Sequence, residues 1–160
     1  MKLSMCLAPA ALAVLLLGGC ASWQASEPDA IRIDHMIIPA AAEAGGPVAA
    51  YAGFDNTGPS DRLLGISCAC AASVELHKVV REGDKVSMTN TFPLALPTGR
   101  TEVRPPGTPL HFFMLIDTAR PFATGEQLTL QLHFEKSGVR DVVFTVVANS
   151  KDGWDAWTAE

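Results

Sequence analysis

Hydrophobic residues along this chain fall in short alternating runs and not at helical spacing. The clearest run is 127–134, where Leu128, Leu130, Leu132 and Phe134 lie on one side and Thr129, Gln131 and His133 on the other. A period of two marks a strand with one buried face. The run 74–80 repeats it: Val74, Leu76 and Lys78 share one face, and Glu75, His77 and Val79 the other. Residues 31–38, 48–54, 62–67, 85–89, 101–104, 110–116 and 139–147 complete the predicted strands. Turn chemistry separates them. Asn56-Thr57-Gly58-Pro59 closes the second run, Arg81-Glu82-Gly83-Asp84 turns a hairpin, and Pro105-Pro106-Gly107-Thr108-Pro109 is a hard break. Residues 92–97 are interrupted by Pro93 and Pro97 and read as loop. Residues 148–160, with Trp154 and Trp157, fit either a short terminal helix or a loose peptide. Short strands at this spacing predict an all-β fold, a β-sandwich or a Greek-key barrel.

The N-terminus is different in kind. Lys2 precedes an apolar run, 7–17, that is too short for a comfortable membrane span and ends in Leu17-Gly18-Gly19-Cys20. That string looks like the lipobox of bacterial lipoproteins. Residues 1–19 are therefore expected to be a lipoprotein signal peptide, with Cys20 lipidated as the new N-terminus and 20–30 a tether. Two or three acyl chains on Cys20 would hold the chain stably to a membrane. Ala21, where an Asp would favour inner-membrane retention, leans towards the outer membrane of a Gram-negative envelope. The expected domain is 31–147, with 148–160 a C-terminal tail. About 120 residues are enough for one domain with its own core.

Composition agrees with many short strands: 13 Gly and 11 Pro break an otherwise apolar chain. The net charge of −5 and the lack of any basic stripe argue against nucleic acid as a partner. No Gly-x-Ser-x-Gly, phosphate loop or His-Glu-x-x-His occurs, so an enzyme is not expected. Of the four cysteines, Cys6 leaves with the signal and Cys20 takes lipid. Cys68 and Cys70 remain, spaced C-x-C.

The candidate chemistry lies in one spacing. His77 is followed, after ten residues, by Met88, and a strand carrying His111 and Met114 comes later. Imidazole with thioether suits soft, monovalent copper. In an oxidising compartment, Met and His hold Cu(I) without being lost to disulfides.

Further strings carry a resemblance: Val48-Ala49-Ala50-Tyr51 leading into Asn56-Thr57-Gly58, Asp61-Arg62-Leu63-Leu64-Gly65, Val74-Glu75-Leu76-His77, Leu96-Pro97 with Gly99, and 128–138 around Phe134-Glu135-Lys136. With these, the chain resembles the PCuAC family of periplasmic Cu(I) chaperones. The resemblance implies a cupredoxin-like fold and Cu(I) as cargo, passed by ligand exchange to a copper-accepting envelope protein such as an oxidase assembly factor or subunit. The family pattern is His, ten residues, Met, twenty-one residues, then His-x-Met. His77 and Met88 meet its first half, whereas its second half lands on Leu110 and Phe112. His111 and Met114 are offset from that pattern and of opposite parity, so only a bulge would let them converge. Cys68 and Cys70 could substitute as Cu(I) ligands, or close a tight C-x-C disulfide. His35 and Met36 are adjacent and cannot both ligate from one strand face, and His133 reads as solvated. Two other functions stay open. One is a lipoprotein that kept the scaffold, lost copper and binds proteins. The other is a thiol redox protein acting through Cys68 and Cys70.

Overall fold

The computed structural model describes residues 30–82, 85–105 and 110–158. The expected signal peptide, Cys20 and the tether up to residue 29 lie outside these residues, as do Gly83, Asp84, residues 106–109 and the side chain of Trp157.

Ten strands are present among the described residues: β1 (Ile31–Pro39), β2 (Val48–Asn56), β3 (Asp61–Ser67), β4 (Ala71–Glu82), β5 (Lys85–Asn90), β6 (Leu94–Leu96), β7 (Gly99–Val103), β8 (Leu110–Thr118), β9 (Gln127–Phe134) and β10 (Val139–Val147). One helix follows, α1 (Ser150–Thr158). The strands β4-β8-β2-β1-β10-β9-β3 pair in that order, and β3 returns to β4 through Ile66 and Val74, which closes a barrel. Closure pairs these seven strands on both sides and leaves β5 and β6 at the ends of the sheet. The long β4 joins β3 with its first half and forms a hairpin with β5 in its second.

Alternation dictated the interior. Leu128, Leu130, Leu132 and Phe134 of β9 are buried, as the sequence pattern requires. Phe54, Phe113, Phe122 and Phe144 are almost fully enclosed. Phe113 meets Phe54 edge-on at 6.4 Å and stacks with Phe92 at 6.3 Å. A slip of one residue in β8 would expel Phe113 from this cluster, so its burial fixes the register of that strand.

Two segments depart from expectation. Residues 92–97, expected as loop, contain β6, which pairs with β3 from Leu63↔Leu94 to Asp61↔Leu96. Pro93 and Pro97 flank this edge strand and do not interrupt it, so its ladder is intact. Residues 150–158 are helical. Asn149 caps the helix: its Oδ1 accepts from the Asp152 N–H at 2.8 Å while its Nδ2 donates to the Asp152 carboxylate. Trp154 is buried, and its ring lies 4.5 Å from that of His35 on β1. Burial pushes the phenol of Tyr51 above its ordinary value, against the opposing influence of Ser150 at the start of the helix. The helix is thus docked on the barrel.

His35 sits where β1 is irregular. The β1–β2 register shifts between Asp34 and Ile37, and His35 has φ 52°. This bulge defeats simple parity, so Ile37 and Ile38 are both buried.

Candidate functional site: the outer face of the β4–β5 hairpin and β8

Three strands side by side, β5-β4-β8, carry the first candidate residues. Val79 pairs with Met88, and His77 with Asn90 on one side and Phe112 on the other. Directly paired residues share a face, so His77, Met88 and Phe112 lie on one surface. Glu75, paired with Met114, lies on it too. The opposite surface carries Leu76 and Phe113 into the barrel core. Burial of Phe113 therefore turns Phe112 outward, against His77. Their ring centroids are 5.8 Å apart.

Met88 is a diagonal neighbour of His77 across β4 and β5, and Met114 is one across β4 and β8. Diagonal neighbours lie about 7–8 Å apart, within reach of an imidazole and a thioether. The two methionines flank β4 from opposite sides, about 16 Å from one another by strand geometry. Met88 is 57% exposed. The face thus has an open thioether end and an enclosed imidazole.

That imidazole is held by a carboxylate. His77 Nε2 and Glu75 Oε2 are 2.6 Å apart. A carboxylate only accepts, so Nε2–H donates and the lone pair of a neutral ring falls on Nδ1. Nδ1 is buried and has no hydrogen-bond partner among the described residues. A metal-binding histidine characteristically ties its other ring nitrogen to a carboxylate in this way. Sequence reasoning placed Glu75 and His77 on one face but gave Glu75 no role. Its position two residues before the histidine on a strand was the available signal.

Two sets of expected residues lie elsewhere. His111 pairs with Lys78, and the β4–β8 ladder keeps one register from Leu110↔Val79 to Thr118↔Ala71. There is no bulge, so His111 faces away from His77, Met88 and Met114 and does not join them. Cys68 and Cys70 are bonded to each other and precede β4. Cys70 is seven residues before His77, about 23 Å along an extended chain. They therefore cannot substitute at the His77 face. His133, expected in solvent, contacts the Ser67 hydroxyl at 3.0 Å. Among the described residues, no three His, Cys, Asp or Glu side chains form a metal-holding group.

The LpqE-like lipoprotein family matches residues 31–146. The chain belongs to this family. No curated protein matches it. Among solved structures, this LpqE-like chain is similar to the apo PCuAC domain from PmoF1, with 20% identity and a TM-score of 0.60 over 75% of this chain and 95% of that one. It is similar to the copper-bound PCuAC domain from PmoF2, with 24% identity and a TM-score of 0.57 over 75% and 94%. It is also similar to CuI-DR1885 from Deinococcus radiodurans, with 22% identity and a TM-score of 0.57 over 79% and 86%. At these identities the likeness establishes a shared, cupredoxin-like fold.

Proposed function

We propose that this LpqE-like chain is an envelope lipoprotein that accepts Cu(I) on the β5-β4-β8 face and passes it on by ligand exchange. The observation that carries this reading is His77: one ring nitrogen tied to Glu75, the other buried with no hydrogen-bond partner, and Met88 exposed on the same face. Copper in the PmoF2 domain and in DR1885, on the same fold, supports it.

His77 Nδ1 and the Met88 sulfur are the two proposed donors, with Met114 a further thioether beside His77. Both donor types favour Cu(I) over hard divalent ions. Glu75 fixes the imidazole and sets a negative charge behind the cation. Leu110 and Phe112 occupy the positions where the PCuAC pattern has His and Met, so this chain offers a smaller donor set than that pattern. A site with few donors, one of them exposed, releases its ion readily. An acceptor's ligand bonds the copper from the Met88 side as the thioether leaves, and His77 lets go last. The acceptor is a copper-binding envelope protein, such as an oxidase assembly factor or subunit, and a lipid on Cys20 keeps the carrier at the membrane.

A Cu(I) competition titration against a chromophoric chelator tests this reading. One equivalent should bind to the wild type and be lost in His77→Ala/Met88→Ala. Phe112, an apolar ring standing where the PCuAC pattern has Met, favours a second reading, in which the face has lost copper and serves a protein partner. Wild-type protein that fails to compete for Cu(I) at micromolar chelator strength would select that reading.

A further inference from the structure

The loop between β3 and β4 holds a second chemical feature at the other end of β4. Cys68 and Cys70 are disulfide-bonded, with Cα atoms 5.1 Å apart. The bond encloses Ala69 alone and joins no two elements. A cross-link constrains the unfolded chain more as its loop lengthens, so the shortest loop contributes least. The neighbouring backbone is already secured: Ile66 pairs with Val74, and the Ala119 N–H donates to the Cys70 carbonyl at 2.8 Å. Structural stapling is therefore a poor account of this bond.

Its surroundings suit exchange. Two shallow hollows meet at Cys68 and Ala69, one bordered by Arg120 and Gln127, the other by Gln131 and Asp141. The two sulfurs differ. Cys70 is 8% exposed, belongs to the core and borders one hollow, whereas Cys68 is half-buried, packs against the core and borders both. The Cys70 N–H points at Cys68 Sγ, 3.0 Å away. A donor there stabilises a thiolate on Cys68 once the bond opens.

We propose that Cys68 and Cys70 form a redox-active pair that exchanges with a dithiol or disulfide of another protein, with Cys68 the exchanging sulfur and Cys70 the resolving one. In the reduced chain, the Cys68 thiolate attacks a partner's disulfide. A Cys68–partner bond forms, the partner's S–S bond breaks, and the released sulfur takes a proton. Cys70 then loses its proton and attacks Cys68 Sγ. The Cys68–Cys70 bond re-forms and the partner's second sulfur leaves and is protonated. Two electrons pass from the pair to the partner, and the reverse sequence oxidises a partner's dithiol. This activity is independent of the copper face.

The test is to equilibrate the full chain in glutathione mixtures of stepped ratio, quench with acid, alkylate, and quantify each cysteine by peptide mass spectrometry. Peptide resolution separates Cys68 and Cys70 from Cys6 and Cys20. The pair should pass from oxidised to reduced within the range of the mixtures. In Cys70→Ser, a glutathione adduct should form on Cys68 at least about tenfold faster than on Cys70 in Cys68→Ser. A pair that stays fully oxidised, or fully reduced, in every mixture overturns the proposal. Equal reactivity of the two sulfurs overturns the assignment of Cys68. The wild-type titration decides even if a serine variant folds poorly.

Discussion

Two histidines in this barrel each lean on a carboxylate two or fewer residues away, His77 on Glu75 at 2.6 Å and His35 on Asp34 at 2.7 Å. Their surroundings assign them different tasks. Asp34 also accepts from Arg100 at 2.8 Å and lies 3.4 Å from Arg32. Burial opposes its charge, but the hydrogen bonds and charges of Arg100 and His35 outweigh that and hold its carboxyl below the ordinary value. His35 is buried beneath Trp154. Gly53 makes room for this knot, since a Cβ there would stand 2.3 Å from both the Arg100 guanidinium and the Asp34 carboxylate. The carboxylate of Glu75 is spared such neighbours: His77 is its one hydrogen-bond partner among the described residues. The first pair is a neutralised clasp for the terminal helix. The second leaves its carboxylate to the histidine alone, beside an exposed thioether. A histidine–carboxylate pair alone therefore says little; the other partners of the carboxylate decide what it does.

Breaking the clasp should have the largest effect and leave copper alone. Trp154→Ala should cost about 3–4 kcal/mol of stability in chemical denaturation by emptying the helix–barrel contact. Its Cu(I) affinity should match wild type. His77→Ala should do the reverse. We expect Cu(I) affinity to fall about a hundredfold, near 2.7 kcal/mol, in the chelator titration, with an unchanged denaturation midpoint. Equal effects of both substitutions on both measurements would collapse the distinction.

Smaller changes sharpen it. Gly53→Ala should force Arg100 and Asp34 apart and cost about 2 kcal/mol in the same denaturation experiment. Glu75→Gln should weaken Cu(I) binding about tenfold, close to 1.4 kcal/mol, by loosening the His77 ring while leaving stability intact. The mildest test is acid. Because the Asp34 carboxyl lies below its ordinary 3.8 in the folded chain, its contribution to stability is fully present above that value. It is lost as pH falls through the lower, folded value. Trp fluorescence followed below about pH 4 should report the helix loosening, and Asp34→Asn should flatten that part of the titration.

Much of this was legible in the sequence, because alternation and turn chemistry are local. The faces of β4 and β9 could be assigned residue by residue, and so could the opposite parity of His111 and Met114. The same logic failed where a residue was inserted or a short segment relied on distant partners. The bulge at His35, the edge strand β6 beside β3 and the docking of α1 through Trp154 each depend on contacts that no window of the chain contains.

The sequence by itself determined most of the strands, the buried faces of β4 and β9 and the proposed soft donors His77 and Met88, because side-chain alternation and ligand chemistry belong to individual residues. Only the tertiary structure decided which residues stand together. The pairing of β5, β4 and β8 aligned Met88, His77 and Phe112, while one unbroken register kept His111 on the other side and the length of β4 kept Cys68 and Cys70 at its far end. Register is a relation between strands far apart in the chain, and it is fixed by what the barrel must bury, above all Phe113.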